Sequence, residues 1–387
     1  MIDKLRALTF MVVLMLTAFA PAQTFTDLYS FTGGSDGGDP VAALVQDTSG
    51  NLYGTTVYGG PANYGVVFEV TTSGTETVLH SFTGGSTDGA DSYAPLLLDS
   101  AGNLYGTTGY GGASDLGVVF KIDSAGKETI LHSFAGAPTD GAAPFQGLVM
   151  DEKGNLYGTT ETGGTSGEGT VFKLSPKGKE TVLHSFAGGA SDGAGPSYGS
   201  LLMDKAGNLY GVTEYGGPSD KGVLYKLTAK GKLTVLHSFA GGSSDGCWPF
   251  GTVAMDEAGN LYGTTSQCGS SGYDSYGTVW KVSKKGKETI LYNWGGGTSG
   301  GCYPYAGVVL DSKGNLYGNT NVCGAYDDGI VWDSSQQGRL THLLQSFDYS
   351  NGAGPLGELL RTANGELFGT AESGGSHGYG VVWSYVP

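Results

Sequence analysis

Basic residues are scarce in this chain: 20 Lys and Arg stand against 36 Asp and Glu, a formal charge of -16. Such an acidic polymer repels phosphate backbones and anionic membrane surfaces, which argues against nucleic acid as a partner and favours cations or neutral polymers. No apolar stretch is long enough to span a bilayer comfortably. The longest, residues 8–20, follows Lys4 and Arg6 and ends at Ala20-Pro21-Ala22, the pattern of a signal peptide over residues 1–22 cleaved before Gln23. No cysteine follows it, so a bacterial lipid anchor is not expected, and no second apolar run appears at the C-terminus. The expectation is an exported protein, secreted, extracellular or held in the cell envelope, without a membrane span. No phosphate-binding loop or helical period is present.

Glycine, by contrast, is abundant at 71 residues of 387. Because it recurs with a strict period, it signals many tight turns rather than disorder. The phrase GNLYGTT opens at Gly50 and returns in close variants at Gly102, Gly154, Gly207, Gly259, Gly314 and, as GELFGTA, at Gly365. A period near 52 residues marks a repeat array. Each unit holds four short strand-like runs, in the second unit APLLLD, NLYGTT, GVVFKI and ETILHSF. The connections between runs one and two and between three and four are short, and the other two are long. In an up-and-down sheet this gathers all long loops at one end. Seven such units predict an all-β, seven-bladed β-propeller with four antiparallel strands per blade, formed by residues 23–387 as one domain. The chain starts with a fourth-type run, FTDLYSF, and ends with a third-type run, GVVWSYVP. The N-terminal strand is therefore expected to complete the last blade. Closure protects edges that would otherwise invite aggregation, and a monomer is expected.

Four cysteines provide an internal check on this reading. Cys247 and Cys302 precede the first strand of adjacent units, and Cys268 and Cys323 follow the second strand. Since those strands are antiparallel, Cys247–Cys268 and Cys302–Cys323 are the expected disulfides. Bridges between blades would have to span stacked sheets about 10 Å apart. A four-cysteine zinc site lacks the close CxxC spacing.

The phrases GNLYGTT, GVVFK and GKETVLHSF, with GG and DG between them, resemble the bacterial GloVer tandem-repeat proteins, a Gloeo/Verruco-type repeat also described as choice-of-anchor tandem repeat GloVer-containing proteins. The resemblance covers nearly all of the mature chain. It implies an extracellular location and transfers no catalytic residue. Some relatives end in a sorting anchor, and none is expected after Pro387.

Candidate site residues fall in the long loops, where propellers bind ligands. Tyr58, Tyr110 and Tyr215 lie at YGG. Tyr93, Phe145, Tyr198, Trp248, Tyr303 and Tyr305 precede first strands. Their flat faces suit sugar rings or peptide partners, and packing between loops explains them equally. Glu161, Glu214 and Glu372 share the position after the second strand; a facing pair would suit acid and base work on a glycosidic bond, and loop solvation explains them as well. Asp36, Asp88, Asp140, Asp192 and Asp245 each precede Gly in the inter-blade loop. Calcium would suit them, although a duplicated Asp-Gly turn needs no metal, and no resident cofactor is otherwise expected. His80, His132, His184 and His237 share one outer-strand position that blades hold apart. The leading functional expectation is a scaffold that binds a glycan or an envelope protein at the long-loop face. A glycan-cleaving hydrolase or lyase is the alternative, and a purely structural envelope role is the third reading.

Overall fold

The computed structural model describes residues 23–196, 198–269, 276–335 and 340–387. The export segment read over residues 1–22 lies outside them. Seven antiparallel sheets of four strands follow one another as the blades of a propeller, the first strand of the fourth blade being split into Gly193–Pro196 and Leu202–Met203. In the second blade the strands are Leu97–Leu98, Leu104–Thr108, Val118–Ile122 and Glu128–Ser133, paired in chain order. The first strand is shorter than the run APLLLD suggested. Pro95 cannot donate to a ladder, and Tyr93 and Pro95 line an axial cavity instead. Among the described residues no helix is long and apolar enough to cross a membrane.

Each letter of GNLYGTT has a physical task. Asp99 Oδ1 accepts the N–H groups of Ala101 and Asn103, both at 2.9 Å, while its Oδ2 accepts Asn103 Nδ2 and the Tyr105 hydroxyl. Gly102 turns the chain at φ 80°. Equivalent Asp–Asn–Tyr networks close the turns begun by Asp47, Asp151, Asp204, Asp256 and Asp311. The seventh blade changes all three members together, to Thr362, Glu366 and Phe368, which is why its phrase reads GELFGTA. Next comes a glycine that the neighbouring strand demands: a β-carbon on Gly106 would stand 2.5 Å from Phe120 Cζ. The first threonine ties blades together, since Thr107 Oγ1 donates to the Gln146 carbonyl of the next blade at 2.8 Å. The second, Thr108, donates to Tyr110 O and holds the strand end.

The core lies in the seams between blades. One apolar cluster joins Val67 and Phe82 of the first blade to Leu96, Leu104, Val118 and Phe120 of the second. At the centre of every seam a fourth-strand aromatic meets a third-strand aromatic of the next blade. The pairs are Phe31–Phe68, Phe82–Phe120, Phe134–Phe172, Phe186–Tyr225, Phe239–Trp280, Trp294–Trp332 and Phe347–Trp383, with ring centres 5.0–5.7 Å apart. Tilted and edge-on contacts of this kind suit the ring quadrupoles.

The ring closes as expected. Thr24–Ser30 pairs antiparallel with Val381–Val386, from Thr24↔Val386 to Ser30↔Val381. It carries the same bulge that every fourth strand shows against its third, here between Asp27 and Tyr29. Thr370 Oγ1 in the last blade donates to Ala42 O in the first, 3.0 Å away. Both disulfides, Cys247–Cys268 and Cys302–Cys323, join the expected partners with Cα atoms 5.4 Å apart.

Candidate functional site

At the long-loop end, one repeat position at or near the start of each inner strand supplies several of the side chains around the axis. At the equivalent repeat position the chain carries Val41, Tyr93, Phe145, Tyr198, Phe250, Tyr305 and Leu356. Five of these are aromatic, on consecutive blades, and they form an unbroken arc. Tyr93 meets Phe145 edge-on at 5.3 Å, Phe145 stacks with Tyr198 at 5.8 Å, Tyr198 stacks with Phe250 at 6.1 Å, and Phe250 meets Tyr305 edge-on at 5.3 Å.

Phe145 of this arc packs against Tyr110, while Tyr93, Tyr198, Phe250 and Tyr305 line an axial pocket of about 560 Å³. Its floor is made where inner strands crowd together: a β-carbon on Gly251 would stand 2.0 Å from Gly307 N, and one on Gly357 would be 2.7 Å from Ala42 C. Only glycine allows that approach. Glu358 of the seventh blade reaches across this floor and accepts the Thr252 N–H of the fifth. Carboxylates from four blades line the cavity: Asp39, Glu161, Glu214, Glu358 and Glu372. Burial raises all five above the usual carboxylate range. For Glu161 the charge of Glu214 adds to the effect, and for Glu372 that of Asp39 does. Burial, and then the charges of Glu161 and Glu214, push the Tyr198 phenol up to about 12. Carboxylates of this kind can accept hydroxyl or ammonium donors, and burial lets them keep a proton to higher pH than a free carboxyl does.

The candidates from the sequence divide between places. Tyr58, Tyr305, Glu161, Glu214 and Glu372 converge on the pocket. Tyr215 is exposed beside it, and hydrogen bonding to Glu214 raises its phenol to about 12. Tyr110 packs against Phe145 at 6.0 Å and lines a separate hollow with Tyr64. Trp248, in the strand Gly246–Met255 of the fifth blade, lies under Lys221 Nζ, 4.3 Å from the ring centre, and Tyr303 packs on Tyr276 at 5.8 Å.

The five aspartates do not meet; each sits in its own seam with protein donors around it. Asp88 takes Thr83 N–H, Thr83 Oγ1 and Gly89 N–H and pairs with His80 Nε2 at 3.1 Å. His132–Asp140, His184–Asp192 and His237–Asp245 repeat that pair, and the Tyr29 hydroxyl replaces histidine at Asp36. Among the described residues, one group places three metal-ligating atoms within 4.8 Å of one another: His80, Asp88 and Glu128. Asp39, Phe250 and Glu358 were not singled out from the sequence. Phe250 shares its repeat position with Tyr93 and Tyr198, and that alignment was the available signal.

The fold and pocket define a seven-bladed propeller with an acidic, aromatic cavity at its loop-rich axial end. The chain belongs to the Gloeobacter/Verrucomicrobia repeat family, whose model matches residues 15–153, 126–331 and 200–387. None of the curated proteins matches the sequence. Among solved structures, virginiamycin B lyase from Staphylococcus aureus is 12% identical with a TM-score of 0.60, over 94% of this chain and 99% of that one. The extracellular domain of a hybrid two-component system from B. thetaiotaomicron is 11% identical, TM-score 0.58, over 93% of this chain and 39% of that one. A protein assigned as a 6-phosphogluconolactonase from Bacteroides uniformis is 16% identical, TM-score 0.54, over 87% and 98%. At these identities the likeness is one of fold.

Proposed function

We propose that this chain is an exported carbohydrate-binding propeller whose axial pocket takes saccharide rings. The observation that carries the reading is the aromatic arc from Tyr93 to Tyr305 beside carboxylates supplied by several blades. Sugar rings present apolar C–H faces, which stack on aromatic side chains, and hydroxyl edges, which donate to carboxylates. A cavity of about 560 Å³ lies within the range that encloses a small molecule of a few rings. Export is supported by the signal-like N-terminus, and two disulfides suit an oxidising compartment. An envelope protein docking on the same face is the alternative occupant.

One observation favours a second reading, cleavage of the bound glycan. Glu161 and Glu214 interact, and burial keeps the proton on Glu161 to higher pH than a free carboxyl, as a general acid requires. A glycan array of the purified mature protein, with and without calcium, followed by product analysis of each hit, tests both. Binding that weakens about tenfold or more in Tyr198→Ala supports the site. Retention of no saccharide, or indifference to Tyr198→Ala, removes the proposal. Bond cleavage abolished in Glu161→Gln with binding kept would make the protein an enzyme.

A further inference from the structure

We infer that the axial pocket selects saccharides carrying free amino groups, an inference that rests on the carbohydrate-binding reading. The ionisable residues that line the cavity are five carboxylates and several tyrosines; no Lys, Arg or His is among the described lining residues. Carboxylates drawn from the first, third, fourth and seventh blades therefore face one another with no protein cation between them. The lysines Lys121, Lys173, Lys226 and Lys281 lie elsewhere, each over a tyrosine ring of the adjacent strand.

The chemistry discriminates three ways. An ammonium group placed among these carboxylates gains charge-assisted hydrogen bonds and relieves their mutual repulsion, and the aromatic faces add a favourable cation–π contact. An N-acetylated sugar presents a carbonyl that needs a donor, and the side-chain donors around the cavity are limited to tyrosine hydroxyls and any protonated carboxyl. A uronate brings a further negative charge into a cavity that already holds several.

Titration calorimetry with three oligomers of equal length, made of glucosamine, N-acetylglucosamine or galacturonate, at low and moderate salt, tests the selectivity. The glucosamine oligomer is expected to bind at least about tenfold more tightly than its acetylated counterpart, and to weaken as salt rises. In Glu161→Gln/Glu214→Gln, whose melting temperature checks that it folds, that preference should shrink while weak binding of the neutral oligomer persists. Equal or tighter binding of the acetylated oligomer, or any preference for galacturonate, overturns the inference and leaves carbohydrate binding standing. If none of the three binds and the glycan array is also blank, the carbohydrate reading falls with it. A glucosamine preference that is unchanged in the double variant also overturns the inference, because the selecting charge would lie elsewhere.

Discussion

Truncating Phe31 to alanine tests whether the N-terminal strand closes the ring with the strength of an internal seam. Phe31 has no exposed surface and meets Phe68 at 5.0 Å; Phe134, two seams further along the chain, has none either and meets Phe172 at 5.2 Å. Removing a fully buried phenylalanine costs about 3–5 kcal/mol. Unfolding entropy near 2.1 cal/mol/K per residue, over the roughly 365 residues after the export segment, gives about 0.8 kcal/mol per degree. Each truncation should therefore lower the melting temperature by about 4–6 °C. Scanning calorimetry of Phe31→Ala and Phe134→Ala, side by side, makes the comparison. A closed ring predicts losses that agree within about 1 kcal/mol. If Phe31→Ala costs less than about 1 kcal/mol while Phe134→Ala costs the full amount, the first strand frays and the closure argument is wrong.

Further expectations concern staples, turns and pH. Cys268 occupies the glycine position of the repeat at φ 66°, so Cys247→Ala/Cys268→Gly restores the repeat's own residues and isolates the disulfide. Losing a bridge across 21 residues should cost about 3 kcal/mol, offset by about 1 kcal/mol of relieved backbone strain, for a net fall of about 2–3 °C in melting temperature; no fall would mean that the bridge contributes no more than the strain relief, about 1 kcal/mol. Asp99→Ala removes the acceptor for two N–H groups, Asn103 and Tyr105, and should cost about 1–2 kcal/mol by denaturant titration, whereas the same change at exposed Asp115 is not an equivalent control because that side chain caps Gly111 N. Glu76, Glu180 and Glu288 are each pushed up to about 7, first by burial and then by the facing Asp36, Asp140 and Asp245. Their folded pKa exceeds the unfolded value near 4.5, so stability is lost as pH rises through about 7. Asp36 and Asp140 are held low by hydrogen bonds despite burial, so their contribution is lost as pH falls below the ordinary aspartate range. Melting temperature should therefore be higher near pH 5 than near pH 8, and the triple Glu→Gln variant should flatten that slope; a rise toward pH 8 in the native chain would contradict the assignment.

Much of this molecule was legible in one dimension because its main interactions are local and repeated. The Asp–Asn–Tyr turn spans Asp99 to Tyr105, and the glycine beneath Phe120 recurs in every copy. The cysteine pairs follow from strands that are neighbours in sequence and antiparallel in space. Even the long-range closure could be read, since the two ends are the missing parts of one repeat. The seam aromatics were less visible: Phe82 and Phe120 belong to different units, and strand periodicity reports that a residue is buried without saying what it meets. The histidines and aspartates were read separately, the first on the outer strand and the second in the inter-blade loop, yet each pair is a local contact eight residues apart, His80 with Asp88.

The repeat by itself determined the number of blades, their strand order, the end that bears the long loops and the partners of all four cysteines. Only the tertiary structure decided which loop residues share the axis. Asp39 and Glu372 come from opposite ends of the chain, and Glu358 meets Thr252 across 106 residues. Contacts inside a blade leave a period in the sequence because every copy makes them. Contacts across the axis leave none, because each blade contributes a different residue to a single shared cavity.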